Sequence, residues 1–400
     1  MTETWALAAL WIGLALAAAL LAIFFRIANA LGEIMIGIAA GALIGSTVLG
    51  SDVEWIKFLA GTAAIVLTFL AGTELDPVVF RAKWKEATAV GLVSFAAPFF
   101  GCAAAAYYLL DWSVQSSWLA GVALSTTSVA VVYAVMLEFG FNKTDYGKTV
   151  LAACFITDLG TVLALGLIFA PFTYKTVIFA VAAIAACLLL PRLTPRFFRR
   201  FGERSSELET KYLLLALLGL GALAAWADSE PVLPAYLIGM VLAGSVGRNH
   251  ALIRRLRTLT FGLLTPFYFI RAGSYVALPA LVAAPVAFLV LLISKIMAKC
   301  IGVYPVAKSY GSPRKEAMYT TLLMSTGLTF GSISALFGLT HHIIDQAQYT
   351  LVILAVIASA VVPTLIANAF YLPHHLLPEP EEATSPAADP PAPAHSPPTK

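Results

Sequence analysis

An aspartate stands in the middle of an apolar run. Asp158, in Cys154-Phe155-Ile156-Thr157-Asp158-Leu159-Gly160-Thr161, lies about eleven residues from either end of its hydrophobic segment. An ionisable group at the centre of a bilayer costs about 2.5–3.5 kcal/mol on insertion scales, so it is a functional candidate by default. A carboxylate there can bind a cation, carry a proton, or hold a permanent salt bridge to a base. Two bases are comparably deep: Lys295 in Leu291-Leu292-Ile293-Ser294-Lys295-Ile296, and Arg271 in Phe267-Tyr268-Phe269-Ile270-Arg271-Ala272-Gly273. Lysine can exchange a proton when burial disfavours its charge. Arginine keeps its proton, so Arg271 reads as a fixed counter-charge or a structural donor.

Hydroxyls cluster twice. Ser125-Thr126-Thr127-Ser128 is followed a dozen residues later by Phe139-Gly140, and Ser325-Thr326-Gly327 is followed by Phe337-Gly338. The clusters are about 200 residues apart. Small polar residues let membrane helices pack closely. Interruptions at matching places in two halves instead mark the broken helices of a transporter's ion site. The matched spacing favours the second reading. Glu74 and Asp76 precede Pro77 at a helix end, and Glu74 is kept as an accessory acid. His341-His342 and His374-His375 are adjacent pairs, poorly aimed for shared metal ligation. Cys102, Cys154, Cys187 and Cys300 lie in apolar runs without CxxC spacing. No metal beyond a transported monovalent cation, and no cofactor, is expected.

The elements that position these residues are membrane helices. Hydrophobic residues are 60% of the 400-residue chain and charged ones 12%, half the share a soluble domain needs. A net charge of +3 is too small to imply a nucleic-acid partner. Runs of about twenty apolar residues suit helices spanning lipid. Thirteen are expected, near 4–25, 31–49, 55–73, 86–110, 116–138, 147–169, 174–190, 211–227, 232–246, 259–277, 280–305, 316–339 and 347–372. With the N terminus outside, the inside loops hold nineteen Lys and Arg and the outside loops only Lys175. That bias predicts a multi-pass inner-membrane protein with a cytoplasmic C terminus. Residues 4–169 and 211–372 would be two six-helix repeats, inverted because one span in the connector 170–210 separates them. The membrane domain would occupy 1–375. The Pro/Ala-rich stretch 376–400 reads as a disordered cytoplasmic tail.

The stretches Phe69–Pro77, Ala123–Tyr133, Ile156–Gly160, Thr265–Gly273 and Ser325–Gly331, in this order, resemble the monovalent cation/proton antiporters. The resemblance is to the branch of bacterial sodium/proton exchangers and Kef-type potassium efflux proteins. It implies an all-α integral membrane fold in which the spans carrying the two hydroxyl clusters cross as unwound helices. It further implies a dimerisation domain, a moving core domain and a homodimer. Asp158 matches the ion-binding carboxylate, and Lys295 the base facing it. Where electrogenic relatives carry a second Asp before the ion-binding one, electroneutral relatives Asn and Kef proteins Gln, this chain has Thr157. The function expected is antiport of a monovalent cation, Na⁺ ahead of K⁺, against protons. Asp158 is the shared site, Thr126, Thr127, Ser128 and Thr157 supply oxygens, and Lys295 and Arg271 balance charge. No glycine loop for ATP and no nucleotide-binding domain are expected. An organic-anion transporter on this architecture, and a cation channel or sensor, remain as alternatives.

Overall fold

The computed structural model describes residues 2–25, 27–73, 77–141, 144–169, 173–202, 207–227, 229 and 231–376. Glu74, Asp76 and the chain after Leu376 lie outside the described residues. In lipid every backbone N–H and C=O must find an internal partner, and a helix supplies one within the segment. Among the described residues there is accordingly no strand. The first part of the chain comprises α1 (Thr2–Phe25), α2 (Asn29–Leu43), α3 (Glu54–Thr73), α4 (Pro77–Leu110), the broken pair α5 (Val114–Ser125) and α6 (Val129–Glu138), and α7 (Asp145–Ile168). α8 (Tyr174–Phe201) links it to α9 (Leu208–Trp226) and α10 (Val232–Leu242). Then α11 (His250–Leu259) passes through a π-helical turn, Thr260–Leu264, into α12 (Thr265–Ser274). The short α13 (Leu278–Ala283) leads to α14 (Pro285–Ser309), the second broken pair α15 (Arg314–Met324) and α16 (Thr329–Thr340), and α17 (Gln346–Ile366).

Each expected span has its helix or broken helix, and ten of the described helices are long and apolar enough to cross a bilayer. α2 and α10 are shorter apolar helices. α8 runs eleven residues past its expected end at Leu190 despite Pro191 and Pro195. Arginine side chains there bond backbone carbonyls, Arg192 to Leu188 O and Arg196 to Arg192 O at 2.7 Å.

The inverted repeat is visible in the packing. α2 lies on α12 as α10 lies on α3, α4 packs on α7 as α14 packs on α17, and α4 and α14 meet between them. The first two contacts are made backbone to backbone. Gly37 abuts the Ile270 carbonyl and Gly273 that of Ile34; in the related pair, Gly239 abuts Phe69 O and Gly72 abuts Tyr236 O. A Cβ at any of these four would overlap a main-chain oxygen, so glycine sets how close the helices come. Loops follow the same economy of polar groups. Trp11 Nε1 on α1 donates to Leu49 O at 2.9 Å, and Arg271 Nε to Ser51 O at 2.7 Å, tying the α2–α3 connection to its neighbours.

Candidate functional site

The two hydroxyl clusters are the two helix breaks, and they are bonded to one another. α5 ends at Ser125 and α6 begins at Val129; α15 ends at Met324 and α16 begins at Thr329. Local chemistry makes each break. Ser125 Oγ donates to Val122 O at 2.8 Å, Ser325 Oγ to Thr321 O at 2.7 Å, and Thr326 Oγ1 to Leu323 O at 2.7 Å, capping carbonyls the helix can no longer pair. Across the crossing, Ser128 N donates to Thr326 O at 3.1 Å and Thr127 Oγ1 to Met324 O at 2.8 Å. The carbonyl ends of α5 and α15 thus converge with the amide ends of α6 and α16. Such a meeting of helix ends can host a cation beside an anionic group.

Asp158 on α7 is 1% exposed. Thr161, one turn on, sits 3.2 Å from Ser125 Oγ and fastens α7 to the first break. From α14 come two lysines, both fully buried. Lys299 Nζ donates to Ser94 Oγ at 2.7 Å, Ser125 O at 3.0 Å and Thr127 Oγ1 at 3.1 Å, so its amino group sits at the carbonyl end of α5. Lys299 is also within electrostatic range of Asp158. Lys295, expected from the sequence to face Asp158, donates to Ser359 Oγ on α17 at 2.9 Å and fills the space beside Gly327. Spacing by four residues puts both lysines on one face of α14. That pattern is the signal by which Lys299 could have been found in the sequence.

The remaining expected site residues divide. Thr126, Thr127, Ser128, Ser325, Thr326 and Gly327 are all at the crossing. Thr157 is buried, but its hydroxyl donates to Gly91 O on α4 and to Ala153 O, both at 3.1 Å, and so serves the α4–α7 contact. Arg271 does not join the crossing. It bonds Ser51 O, lies 3.7 Å from Asp52 and stacks over Tyr275, 5.2 Å from the ring centroid. Of the two roles the sequence left open for Arg271, fixed counter-charge or structural donor, these contacts are those of a donor to the α2–α3 connection. Glu74 lies outside the described residues. A second buried acid, Glu33 on α2, escaped the sequence reading because it stands near a helix start.

A cavity of about 260 Å³ opens beside the first half of α7. Its rim carries Lys83, Glu86, Asp145 and Glu316, and it extends between α4, α7 and α15 as far as Ala153. Asp158 is five residues further along α7, about 7.5 Å at 1.5 Å per residue. The Tyr146 and Thr320 hydroxyls in its lining are hydrogen-bonded to each other at 2.8 Å.

Residues 13–370 match the family model described as sodium/hydrogen exchanger, transmembrane. A probable Na⁺/H⁺ antiporter of Methanocaldococcus jannaschii is 24% identical over 88% of this chain and 95% of its own length. The glutathione-regulated potassium-efflux protein KefC of an Enterobacter strain is 27% identical over 88% of this chain, but only 58% of its own length. The chain thus spans about half the length of the KefC relatives it matches. The solved sodium/proton antiporter MjNhaP1 of M. jannaschii superposes with a TM-score of 0.71 at 16% identity, over 92% of this chain and 96% of that one. That likeness is one of fold. The chain belongs to the transmembrane sodium/hydrogen exchanger family, secondary transporters rather than enzymes.

Proposed function

We propose that this protein exchanges one monovalent cation, Na⁺ in preference to K⁺, for a proton at Asp158 by alternating access. The observation that carries the reading is the burial of Asp158 between Cys154, which bonds Met324 at one helix break, and Thr161, which bonds Ser125 at the other, five residues along α7 from the innermost lining of an acidic-rimmed cavity. In the deprotonated state Asp158 would hold a dehydrated cation with Thr126, Thr127 and the carbonyls left open at the breaks. Protonation removes the charge that holds the cation and releases it. An empty carboxylate is too costly to carry through the low-dielectric barrier. Only the loaded states cross, and that restriction couples the two fluxes.

Lys299 takes the charge-balancing role in this scheme. Its amino group lies against the carbonyl end of α5, and its field reaches Asp158. Lys299 spends three donors on protein oxygens, which disfavours an organic anion as cargo beside it. Support for the cation comes from the relatives: one named a probable Na⁺/H⁺ antiporter, others a potassium-efflux protein. We place the cavity on the cytoplasmic side, from the bias of Lys and Arg to that face. The working unit is a homodimer in lipid, its core domain moving against a dimerisation domain. Residues 4–169 and 211–372 form the repeats, and 376–400 a cytoplasmic tail.

Purified protein in proteoliposomes, given an outward or inward gradient of Li⁺, Na⁺, K⁺ or Rb⁺, tests the reading through proton flux. Na⁺-driven flux is expected, and Asp158→Asn should abolish it with the fold intact. Substantial exchange by a well-folded Asn variant would overturn the mechanism. Cation flux that moves no protons would indicate a channel.

A further inference from the structure

Glu33 is a glutamate inside the membrane region that the exchange mechanism does not use. It lies on the first turns of α2, 1% exposed, and faces α12. Both of its hydrogen bonds fall on the same oxygen. Asn29 Nδ2 donates to Oε1 at 2.6 Å and Thr265 Oγ1 donates to it at 3.3 Å. The other oxygen, Oε2, is buried without a hydrogen-bond partner among the described residues. No charged side chain of those residues faces the group. Of the helices packed on α2, α1 carries only Glu3, and α12 carries Tyr268 and Arg271. Arg271 is six residues past Thr265, about 9 Å along the helix, and is committed to Ser51 and Asp52.

The fold does not require this acid. The α3–α10 contact is the same helix crossing in the other repeat, with Gly239 on Phe69 O for Gly37 on Ile270 O, and Gly72 on Tyr236 O for Gly273 on Ile34 O. Those registers put Ala235 at the place of Glu33 and Ala64 at that of Thr265, and both alanines are buried. Two methyl groups close the crossing there. Here a carboxyl, an amide and a hydroxyl close it, beside a π-helical turn at Thr260–Leu264. Single π turns inside helices recur at functional sites.

We propose that Glu33, with Asn29 and Thr265, is a second proton-binding site, separate from the crossing and reversibly occupied. The donor pattern selects the proton over a cation. An N–H and an O–H aimed at Oε1 complement a carbonyl oxygen, whereas a cation would need lone pairs turned inward. In the protonated acid Oε1 is that carbonyl and Oε2 carries the hydrogen. On release the proton leaves to water past the nearby N-terminal end of α2, and the residual anion retains Asn29 and Thr265 as donors. The site therefore senses pH without carrying cargo.

Infrared difference spectroscopy of the full-length protein, taken between acid and alkaline buffer, reads this directly through the carboxyl C=O stretch. A pH-dependent band is expected that persists in Asp158→Asn and disappears in Glu33→Gln. Thr265→Val and Asn29→Ala each remove one donor to Oε1 and should move that band to higher frequency, which keeps the test open if Glu33→Gln does not fold. An Asp158→Asn spectrum without such a band would overturn the proposal, as would a band unmoved in Thr265→Val. A band in Asp158→Asn that responds to added Na⁺ or K⁺ at constant pH would overturn it in favour of cation binding. None of these readings depends on transport, so failure of the exchange mechanism leaves the result interpretable.

Discussion

Thr127 and Thr157 are both buried threonines, yet their hydroxyls do different work. Thr127 joins the breaks, giving its proton to Met324 O and accepting from Lys299. Thr157 is adjacent to Asp158 in sequence and stands where relatives carry Asp, Asn or Gln, and that position suggests it as a ligand. Neighbours on a helix point about 100° apart, so adjacency along the chain is not adjacency in a site. Thr157→Ala should lower unfolding stability by about 1 kcal/mol through its lost bonds to α4 and α7, and leave the apparent cation KM unchanged. Thr127→Val should raise that KM several-fold. Flux titrations paired with denaturation in detergent separate the two. Lys299→Gln should depress transport more than Lys295→Gln, because Lys299 meets the break and the field of Asp158 while Lys295 meets Ser359; equal losses would remove Lys299 from the charge-balancing role. Asp158 is legible in the sequence because a lone acid amid apolar residues is costly to bury in lipid without a task. Glu33 is not, because distance from a helix start says nothing of what later covers that start.

Between elements, the crossing depends on close approach. At Gly327 a methyl group would lie 2.7 Å from Thr126 Oγ1 and would overlap Lys295 Nζ. Forcing one methyl into such packing costs about 1–3 kcal/mol. Gly327→Ala is therefore expected to lower the thermal midpoint and the maximal exchange rate together, measured by melting in detergent and by flux at saturating cation. A variant with wild-type flux would mean that the break is more pliable than its packing implies. The spans themselves are readable because hydropathy reports lipid exposure and core burial alike. Ser-Thr clusters mark the breaks because their side chains compete for backbone carbonyls. The π turn before Thr265 leaves no such mark: nothing in Thr260-Phe261-Gly262-Leu263-Leu264 distinguishes it from an ordinary helical turn.

For the whole molecule, the charge balance follows from one carboxylate and a lysine whose Nζ donates to three acceptors. One cation should exchange for one proton, and transport should be electroneutral. A sustained current on a solid-supported membrane, reversing at the two-proton potential, would show that a lysine also releases its proton on each turn. The reciprocal glycine contacts have a different consequence, in the order of synthesis. Glu33 meets Thr265 across 232 residues of chain. At roughly 5–20 residues per second, the ribosome delivers α12 on the order of 10–50 s after α2. During that interval α2, with fifteen residues where spanning takes about twenty, carries a polar carboxyl group and has no α12 to lie against. The nascent helix must be retained by α1, the packed neighbour already made, so substitutions on the α1 face of α2 should reduce yield in the membrane before they affect the finished transporter.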